Sequence, residues 1–333
     1  MRILFLLLAL VCLATFAPLS LRRPLPPPAV SWVAYSPVPL KEGDPKAVGI
    51  GALRYLGGWV LTSNDFRFGG LSALHVEGDE ALAISDAGWR IQLPLPGPRA
   101  RVRVEIARLR EGPGRSDRKQ DRDAESLAVA GGSAWIGYEG ANAVWRYDRA
   151  RFAASASAAP PAMARWDDNT GPEAMVRLDD GRFLVFAEGE GGDSEVLAFA
   201  GDPAVPGTAA LRLRYRPPEG YRVTDAALLP DGGLLLLNRR ISLLGGFSAK
   251  LVLARLVDSN ESPLIVGDEV ATLEGPVTHD NMEALSVTRE GARTILWIAS
   301  DDNYNPFQRT LLMKFELVGG RAPAKAGGQH FQQ

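Results

Sequence analysis

The sequence has little cysteine, little histidine and no excess of either charge. Cys12 is the single cysteine among 333 residues, and it lies in an apolar N-terminal segment. The rest of the chain therefore has neither a disulfide nor a thiol nucleophile. Lys and Arg number 37 against 39 Asp and Glu, a formal net charge of −2. Because no strong electrostatic field attracts a polyanion, we expect no nucleic-acid partner.

The motifs of several common enzyme classes are also missing. No G-x-S-x-G elbow occurs, so a Ser/His/Asp hydrolase is not predicted. No Walker or dinucleotide-binding glycine loop occurs either. Of the three histidines, His75 alternates with buried positions of a predicted strand and His330 lies in the C-terminal tail. His279 is therefore the candidate acid or base.

The N-terminal segment predicts export. A basic start followed by the apolar run Ile3 to Ala17 is typical of a secretory signal. The apolar stretch continues to Leu21, and about 18 apolar residues can span a bilayer, so an uncleaved anchor is the alternative for residues 1–23. The body of the protein is predicted to be periplasmic or secreted, or anchored to the membrane by this segment alone.

One short phrase recurs five times at intervals of about 50 residues. Each copy starts a strand, followed by a Gly/Asp turn and an apolar run such as Phe183 to Phe186, which suits strands covered on both faces. This period predicts an all-β fold, a β-propeller with one four-stranded blade per repeat. The copies are Gly70-Leu71-Ser72-Ala73-Leu74, Ala124-Glu125-Ser126-Leu127, Pro172-Glu173-Ala174-Met175, Asp225-Ala226-Ala227-Leu228 and Met282-Glu283-Ala284-Leu285.

The repeats predict five blades, or six if one degenerate unit escapes the pattern. After the fifth repeat only one strong strand remains, Leu311 to Leu317. We expect N-terminal strands between Ile50 and Thr62, interpreted as a hairpin turning at Gly57-Gly58, to complete the last blade and close the ring. The predicted organisation is a signal or anchor at 1–23, a Pro-rich linker at 24–46, a propeller at 47–318 and a loose tail at 319–333. A monomer is expected.

Acidic residues recur at one place in the repeat. Because the first two strands of each repeat run antiparallel, the start of the first lies beside the end of the second. All blades point the same way, so we expect these carboxylates at one mouth of the central channel. The predicted metal ligands are Glu125, Glu139, Glu173, Glu188, Glu283, Asp301 and, in a weaker version of the pattern, Asp86.

Oxygen ligands without His or Cys suit Ca²⁺ or Mg²⁺ better than zinc, and Ca²⁺ is the predicted cofactor. The structural alternative is that these carboxylates cap turns or pair with nearby arginines. Basic and polar residues are predicted beside them, because an arginine pair follows the fourth repeat where the other repeats place an acid. The predicted substrate contacts are Arg239, Arg240, Asn303 and Tyr304; Arg239 could instead only neutralise the carboxylates.

Several phrases resemble the bacterial phytase-like propeller family, often labelled "esterase-like activity of phytase". They run from about Gly49 to Leu317 and include Phe68-Gly69-Gly70-Leu71-Ser72-Ala73-Leu74, Arg122-Asp123-Ala124-Glu125-Ser126-Leu127, Gly171-Pro172-Glu173-Ala174-Met175 and Asn281-Met282-Glu283-Ala284-Leu285. The resemblance implies calcium held by carboxylates at one mouth, a role that falls here to Glu125, Glu173, Glu283 and Asp301. It also implies that Arg239 contacts an anion.

Two functions are open at this point. The first is an exported, Ca²⁺-dependent hydrolase of phosphate or carboxylic esters, with Glu173, Glu283 and His279 as the catalytic candidates. The second is a non-catalytic propeller that binds a ligand or an envelope partner and uses Ca²⁺ at most as a structural ion. The rim offers few lysines, so a highly phosphorylated substrate such as phytate is not predicted.

Overall fold

The computed structural model describes residues 26–116, 118–167, 170–189, 192–242, 245–255 and 264–318, which form short strands and almost no helix. Short 3-10 helices cover Lys119–Asp121 and Pro161–Met163. Within these ranges no helix has the length and apolar character needed to cross a membrane. The predicted signal or anchor at 1–23 and the predicted tail at 319–333 lie outside the described residues.

The strands of the first half follow the predicted repeats. The N-terminal strands are β1 (Trp32–Pro37), β2 (Gly49–Ile50) and β3 (Leu53–Ser63). The first repeat gives β4 (Leu71–Glu77), β5 (Glu80–Ser85), β6 (Trp89–Pro94), β7 (Arg101–Arg103) and β8 (Glu105–Arg108). The second gives β9 (Ala124–Ala130), β10 (Ser133–Tyr138), β11 (Ala143–Asp148) and β12 (Ala154–Ala158).

The second half continues in the same way. The third repeat gives β13 (Pro172–Arg177), β14 (Phe183–Ala187), β15 (Ser194–Phe199) and β16 (Ala210–Tyr215), and the fourth gives β17 (Arg222–Leu228), β18 (Leu234–Ser242) and β19 (Gly246–Ala254). Two further strands are β20 (Leu264–Ile265) and β21 (Gly267–Leu273). The fifth repeat gives β22 (Met282–Glu290), β23 (Arg293–Ser300) and β24 (Thr310–Leu317).

These strands form five sheets over the described part of the chain. In order from the inside, blade 1 is β4-β5-β6-β8, blade 2 is β9-β10-β11-β12 and blade 3 is β13-β14-β15-β16 with β20 at its edge. Blade 4 is β17-β18-β19-β21, and blade 5 is β22-β23-β24-β3 extended by β1 and β7. The innermost strands contact one another in turn, and β22 contacts β4. The sheets therefore form a closed ring, and the prediction of a β-propeller is confirmed.

The two ends of the domain meet in blade 5. Strand β24 pairs antiparallel with β3 over Leu53 to Leu61, so an N-terminal strand completes the last blade as predicted. The predicted hairpin at Gly57-Gly58 is wrong, because β3 runs through both glycines and the turn lies at Gly51. A Cβ on Gly57 would clash with the ring of Trp59, so aromatic packing explains this glycine.

The predicted linker at 24–46 is corrected in part. Strand β1 pairs with both β3 and β7, and alternates buried Val33 and Tyr35 with less buried neighbours. Leu40 is fully buried, and its carbonyl accepts a hydrogen bond from the Thr278 backbone N–H at 2.7 Å. The prolines that suggested a linker flank this strand and end it, because proline cannot donate to a sheet.

An apolar layer fills each of the five blade interfaces. Ile84 of blade 1 and Ile136 of blade 2 share one cluster, and Phe186 of blade 3 and Leu236 of blade 4 share another. The remaining interfaces have equivalent clusters. The apolar runs are covered on both faces as the sequence indicated, because each blade is packed between two others.

Side-chain hydrogen bonds also link neighbouring blades near the channel. The Ser126 hydroxyl, fully buried on β9, donates to the Pro172 carbonyl of blade 3 at 2.6 Å. The Ser72 hydroxyl donates in the same way to the Ala124 carbonyl of blade 2.

We expect Ser126→Ala to lower the free energy of unfolding by about 1–2 kcal/mol, because a buried carbonyl loses its partner. Chemical denaturation would measure the change, with Ser36→Ala on the exposed side of β1 as the control. Equal stability of the two variants would show that this link contributes nothing.

Candidate functional site

All five innermost strands have a β-bulge at the same point. The bulged residues are Ser72, Glu125, Glu173, Thr224 and Glu283. A bulge re-aims a side chain and is common beside active sites. The recurring acid therefore stands at a special backbone position in blades 2, 3 and 5, and a hydroxyl residue replaces it in blades 1 and 4.

The fourth repeat corrects the sequence alignment by one residue. The sequence placed Asp225 at the head of its strand, whereas Thr224 occupies the bulge. The fully buried Asp225 carboxylate instead accepts hydrogen bonds from the backbone N–H groups of Ala226 at 2.8 Å and Leu285 at 2.6 Å. Burial raises its pKa, and these two hydrogen bonds oppose the shift. Asp225 thus links blade 4 to blade 5.

A second set of equivalent residues lies on the second strand of each blade or directly after it. Asp86, Glu139, Glu188 and Asp301 each follow the strand directly, and Arg239 takes this place within the longer strand β18. The backbone N–H groups of Asp86, Glu139 and Asp301 donate at 2.9 Å to carbonyls just before the bulge in their own blades. The predicted pairing of the two positions is present in the structure, with a single arginine among four acids.

Three carboxylates meet in blade 2. One oxygen from each of Asp123, Glu125 and Glu139 lies within 4.8 Å of the other two, and all three side chains are half-buried. The sequence pattern singled out Glu125 and Glu139, but Asp123 was not among the predicted metal ligands. Its position two residues before a bulge, where Asn281 precedes Glu283 in blade 5, was the available signal.

Electrostatic interactions connect this group to the neighbouring blades. Burial holds the pKa of Glu125 well above its usual range, and the charges of Glu173, Asp123 and Asp86 add to the shift. Burial likewise raises the pKa of Glu173, with Glu188 as the largest charge contribution. The predicted carboxylates of blades 1, 2 and 3 therefore lie close enough to repel one another.

The other carboxylates with shifted pKa values belong to the same ring. Burial raises the pKa of Glu139 to about 7, and Asp123 adds to the shift. Burial also raises the pKa of Glu283 to about 7 against the opposing charge of Arg239. For Asp301, burial and the Asp86 charge raise the pKa to about 8. We call the carboxylates Asp86, Asp123, Glu125, Glu139, Glu173, Glu188, Glu283 and Asp301 the acidic ring.

Arg239 is built into the acidic ring. Its guanidinium donates to Glu188 and to the Asn281 side chain, each at 3.1 Å, and forms an ion pair with Glu283 at 3.1 Å. Arg222 adds a second contact to Glu188 at 3.0 Å. Blades 3 to 5 thus bring their own compensating charge to the ring.

Two oxygens of the acidic ring have no hydrogen-bond partner among the described residues. They are Asp86 Oδ1 and Asp123 Oδ1, and both atoms are buried. The other Asp86 oxygen lies 2.5 Å from the Lys119 ammonium. Burying a carboxylate oxygen without a partner is costly, so both oxygens are suited to accept a ligand.

Apolar residues lie beneath the acidic ring. Two residues after each bulge, every inner strand presents an apolar side chain to a cavity of about 170 Å³. These residues are Leu74, Leu127, Met175, Ala226 and Leu285, each at most 8% exposed. These five apolar side chains therefore form a layer around the channel below the ring.

The loop after β23 forms one edge of the mouth. Asn303 and Tyr304 both have φ of 49°, unusual for residues other than glycine. The Asp302 carboxylate holds this loop by accepting from the backbone N–H groups of Gly70 at 2.9 Å and Tyr304 at 3.0 Å. The Tyr304 hydroxyl lies 3.2 Å from Ser85 Oγ, just before Asp86.

A groove of about 770 Å³ extends from this loop across the end of β3. Asp302 and Tyr304 line it together with apolar residues that include Leu61, Phe66 and Phe68. Tyr304 thus stands between the groove and the acidic ring. The groove gives a bound molecule room beside the carboxylates.

Two predicted site residues make contacts outside the acidic ring. The Arg240 guanidinium lies 4.6 Å from the centre of the Tyr221 ring, because neighbouring residues on a strand face opposite sides. His279 Nδ1 lies 2.6 Å from the Val277 carbonyl, and the His279 carbonyl accepts from Arg309 at 2.8 Å. These contacts do not join either residue to the acidic ring, and their predicted roles stay predictions.

Comparisons with solved structures give distant likenesses to other proteins. Glutaminyl cyclase of Myxococcus xanthus is 11% identical, with 80% of this chain and 97% of that chain covered and a TM-score of 0.46. A calcium-binding protein, regucalcin, from Agrobacterium tumefaciens is 12% identical, with 77% and 94% covered and a TM-score of 0.44. The allergen Mala s 1 of Malassezia sympodialis is 13% identical, with 74% and 77% covered and a TM-score of 0.43. TM-scores and identities this low give no information about activity.

Comparison with curated proteins gave no match. The profile of one protein family, described as "Phytase-like: Esterase-like activity of phytase", matches residues 66–304. The match starts just before the first recurring phrase and ends in the loop that holds Tyr304, so it includes the whole acidic ring. The chain belongs to this phytase-like family.

Proposed function

We propose that this protein is an exported, Ca²⁺-dependent hydrolase of phosphate or carboxylic esters. The observation that carries the proposal is the acidic ring, in which four of the five blades contribute carboxylates at one mouth, mostly from two equivalent backbone positions. The export part rests on the sequence of residues 1–23 alone. Membership of a family described by esterase-like activity supports the reaction class.

The donor set fits Ca²⁺. The oxygens of Asp123, Glu125 and Glu139 are close enough to share one ion, and Asp123 Oδ1 is buried without a partner. Carboxylates are hard ligands, and Ca²⁺ accepts six to eight oxygens at flexible geometry. Asp123, Glu125 and Glu139 would hold the ion, with Glu173 as the nearest carboxylate of blade 3. When bound there, Ca²⁺ supplies a Lewis acid that polarises an ester oxygen and acidifies water.

Glu173 and Glu283 are proposed to move protons. Because burial raises the pKa of Glu283 to about 7, this carboxyl can gain or lose a proton near neutral pH, as a general acid or base must. Glu173 stands at the equivalent bulge of blade 3, next to Glu139 and Glu188, whose charges favour its protonated form.

Arg239 is proposed to contact the negative charge that develops on the ester. Its guanidinium is fixed by Glu188, Glu283 and Asn281, and a fixed donor needs no rearrangement during the reaction. A quarter of its side chain remains exposed. The groove beside Tyr304 would accommodate the non-reacting part of the substrate.

Hydrolysis assays with and without Ca²⁺ test the proposal. We expect the purified domain to hydrolyse 4-nitrophenyl phosphate or 4-nitrophenyl butyrate in Ca²⁺, to lose this activity in a chelator, and to melt at a higher temperature with Ca²⁺. No turnover of either ester at any Ca²⁺ concentration would contradict the hydrolase. A melting shift without turnover would instead support the non-catalytic propeller with a structural ion.

A further inference from the structure

Two different kinds of cation compensate the acidic ring. Arg239 is held by three side chains and is three-quarters buried, so it is a permanent part of the ring. Lys119 pairs with Asp86 Oδ2, its one ion-pair partner among the described residues, and 55% of its side chain is exposed. Asp86 itself is only 5% exposed at its side chain. A lysine with a partly exposed side chain thus neutralises a buried carboxylate.

The charge of Lys119 also acts on the carboxylates of blade 2. Burial by itself would lower the pKa of Lys119. The charges of Asp86, Asp123 and Glu125 outweigh this effect, raise the pKa and keep the ammonium charged. Asp123 and Glu125 are two of the three carboxylates whose oxygens converge. The ammonium therefore lies within the field of the oxygens that fit Ca²⁺.

The loop that carries Lys119 is fastened on both sides of it. The Asp121 carboxylate accepts from the Arg115 backbone N–H at 2.7 Å. The buried Arg122 guanidinium donates to the Leu109 carbonyl at 3.2 Å. Since the backbone is held independently of Lys119, the lysine can leave Asp86 by rotating its four side-chain bonds without opening the loop.

We propose that Lys119 is an exchangeable counterion, which neutralises the Asp86 side of the acidic ring until a divalent cation binds to Asp123, Glu125 and Glu139 and displaces it. The inference rests on the cation site of the proposed function but not on hydrolysis. Two cations that interact with the same carboxylates repel each other, most strongly where water is partly excluded, so they compete for the site. The Asp86 oxygens, one of them already without a partner, then become available to the divalent ion. The charge of Lys119 therefore weakens the binding of the divalent cation and so determines its affinity.

Calorimetric titration with Ca²⁺ tests this competition. We expect Lys119→Met to bind Ca²⁺ about tenfold more tightly than the natural protein, because the competing charge is gone. In a chelator the same variant should melt at a lower temperature, since Asp86 loses its partner. Lys119→Arg keeps the charge and should retain the natural affinity. Lys46→Met, an exposed lysine outside the ring, controls for the change in net charge.

Each outcome decides between the two proposals. Equal or weaker Ca²⁺ binding by Lys119→Met, while the natural protein binds, would overturn the exchange and leave the proposed cation site standing. If neither the natural protein nor the Lys119→Met variant bound Ca²⁺, the cation site and the exchange would both be overturned. Glu125→Gln should abolish binding, and unchanged affinity in that variant would place the ion elsewhere and also overturn the exchange.

Discussion

Replacing Glu173 and Glu283 together by glutamine should lower ester hydrolysis more than 100-fold, on the order expected for loss of acid–base groups, and leave the propeller folded. Both residues occupy bulges of the acidic ring, where glutamine has nearly the same shape but cannot transfer a proton. Steady-state rates with a chromogenic ester in Ca²⁺ would measure the effect, and circular dichroism would check the fold.

A matched double variant separates this effect from a general loss of carboxylates. Glu80→Gln with Glu105→Gln removes two exposed carboxylates of blade 1 that are not part of the acidic ring and should keep full activity. If the ring variant retained its activity, the proposed roles of Glu173 and Glu283 would be wrong. If it changed only the melting temperature, the non-catalytic propeller would be the better description.

The metal-free protein should lose stability as the pH rises from about 5 to 8. Burial raises the pKa of Glu283 to about 7 and of Asp301 to about 8 in the folded state, above their usual values. Such groups bind protons more tightly when folded, so their contribution is complete below the unfolded pKa and disappears as the pH passes the folded pKa. Glu283 alone corresponds to a loss of about 3 kcal/mol.

Excess Ca²⁺ should reverse this trend, because the ion replaces protons among the carboxylates and binds only the folded chain. Urea unfolding at pH 5, 6, 7 and 8, in a chelator and in Ca²⁺, measures both curves. A flat profile in the chelator would show that folding does not raise the pKa values of these carboxyls. Parallel curves in the two media would show that Ca²⁺ does not bind the ring.

The repeat was readable from sequence because each blade needs the same local pattern. An inner strand packed on both faces requires a continuous apolar run, and its turn requires Gly or Asp, so phrases such as Pro172-Glu173-Ala174-Met175 recur at one interval. The missing strand of the last blade followed from counting, and β3 supplies it. Proline content misled the prediction for 24–46, where the alternation of Val33 and Tyr35 defines a strand.

The acidic ring was predictable as a set but not in its details. Antiparallel pairing through a short turn places the start of β9, with Glu125, near the end of β10, with Glu139, and the blade symmetry brings the pairs to one mouth. In the fourth repeat the sequence pattern assigned Asp225 to the position that Thr224 occupies in the structure. A bulge adds one residue to a strand and leaves no clear mark in the sequence, so this shift was not predictable. Strand alternation separates Arg240 from Arg239, a distinction that depends on register.

The sequence by itself determined the all-β propeller, its closure by the N-terminal strands and the collection of carboxylates at one mouth, since these depend on periodicity and chain direction. Only the tertiary structure decided how the charges are balanced. Lys119 reaches Asp86 from a loop between blades, and Arg239 joins Glu188 of blade 3 to Glu283 of blade 5. Ion pairs between distant segments depend on where side chains converge in space, which no local pattern in the chain encodes.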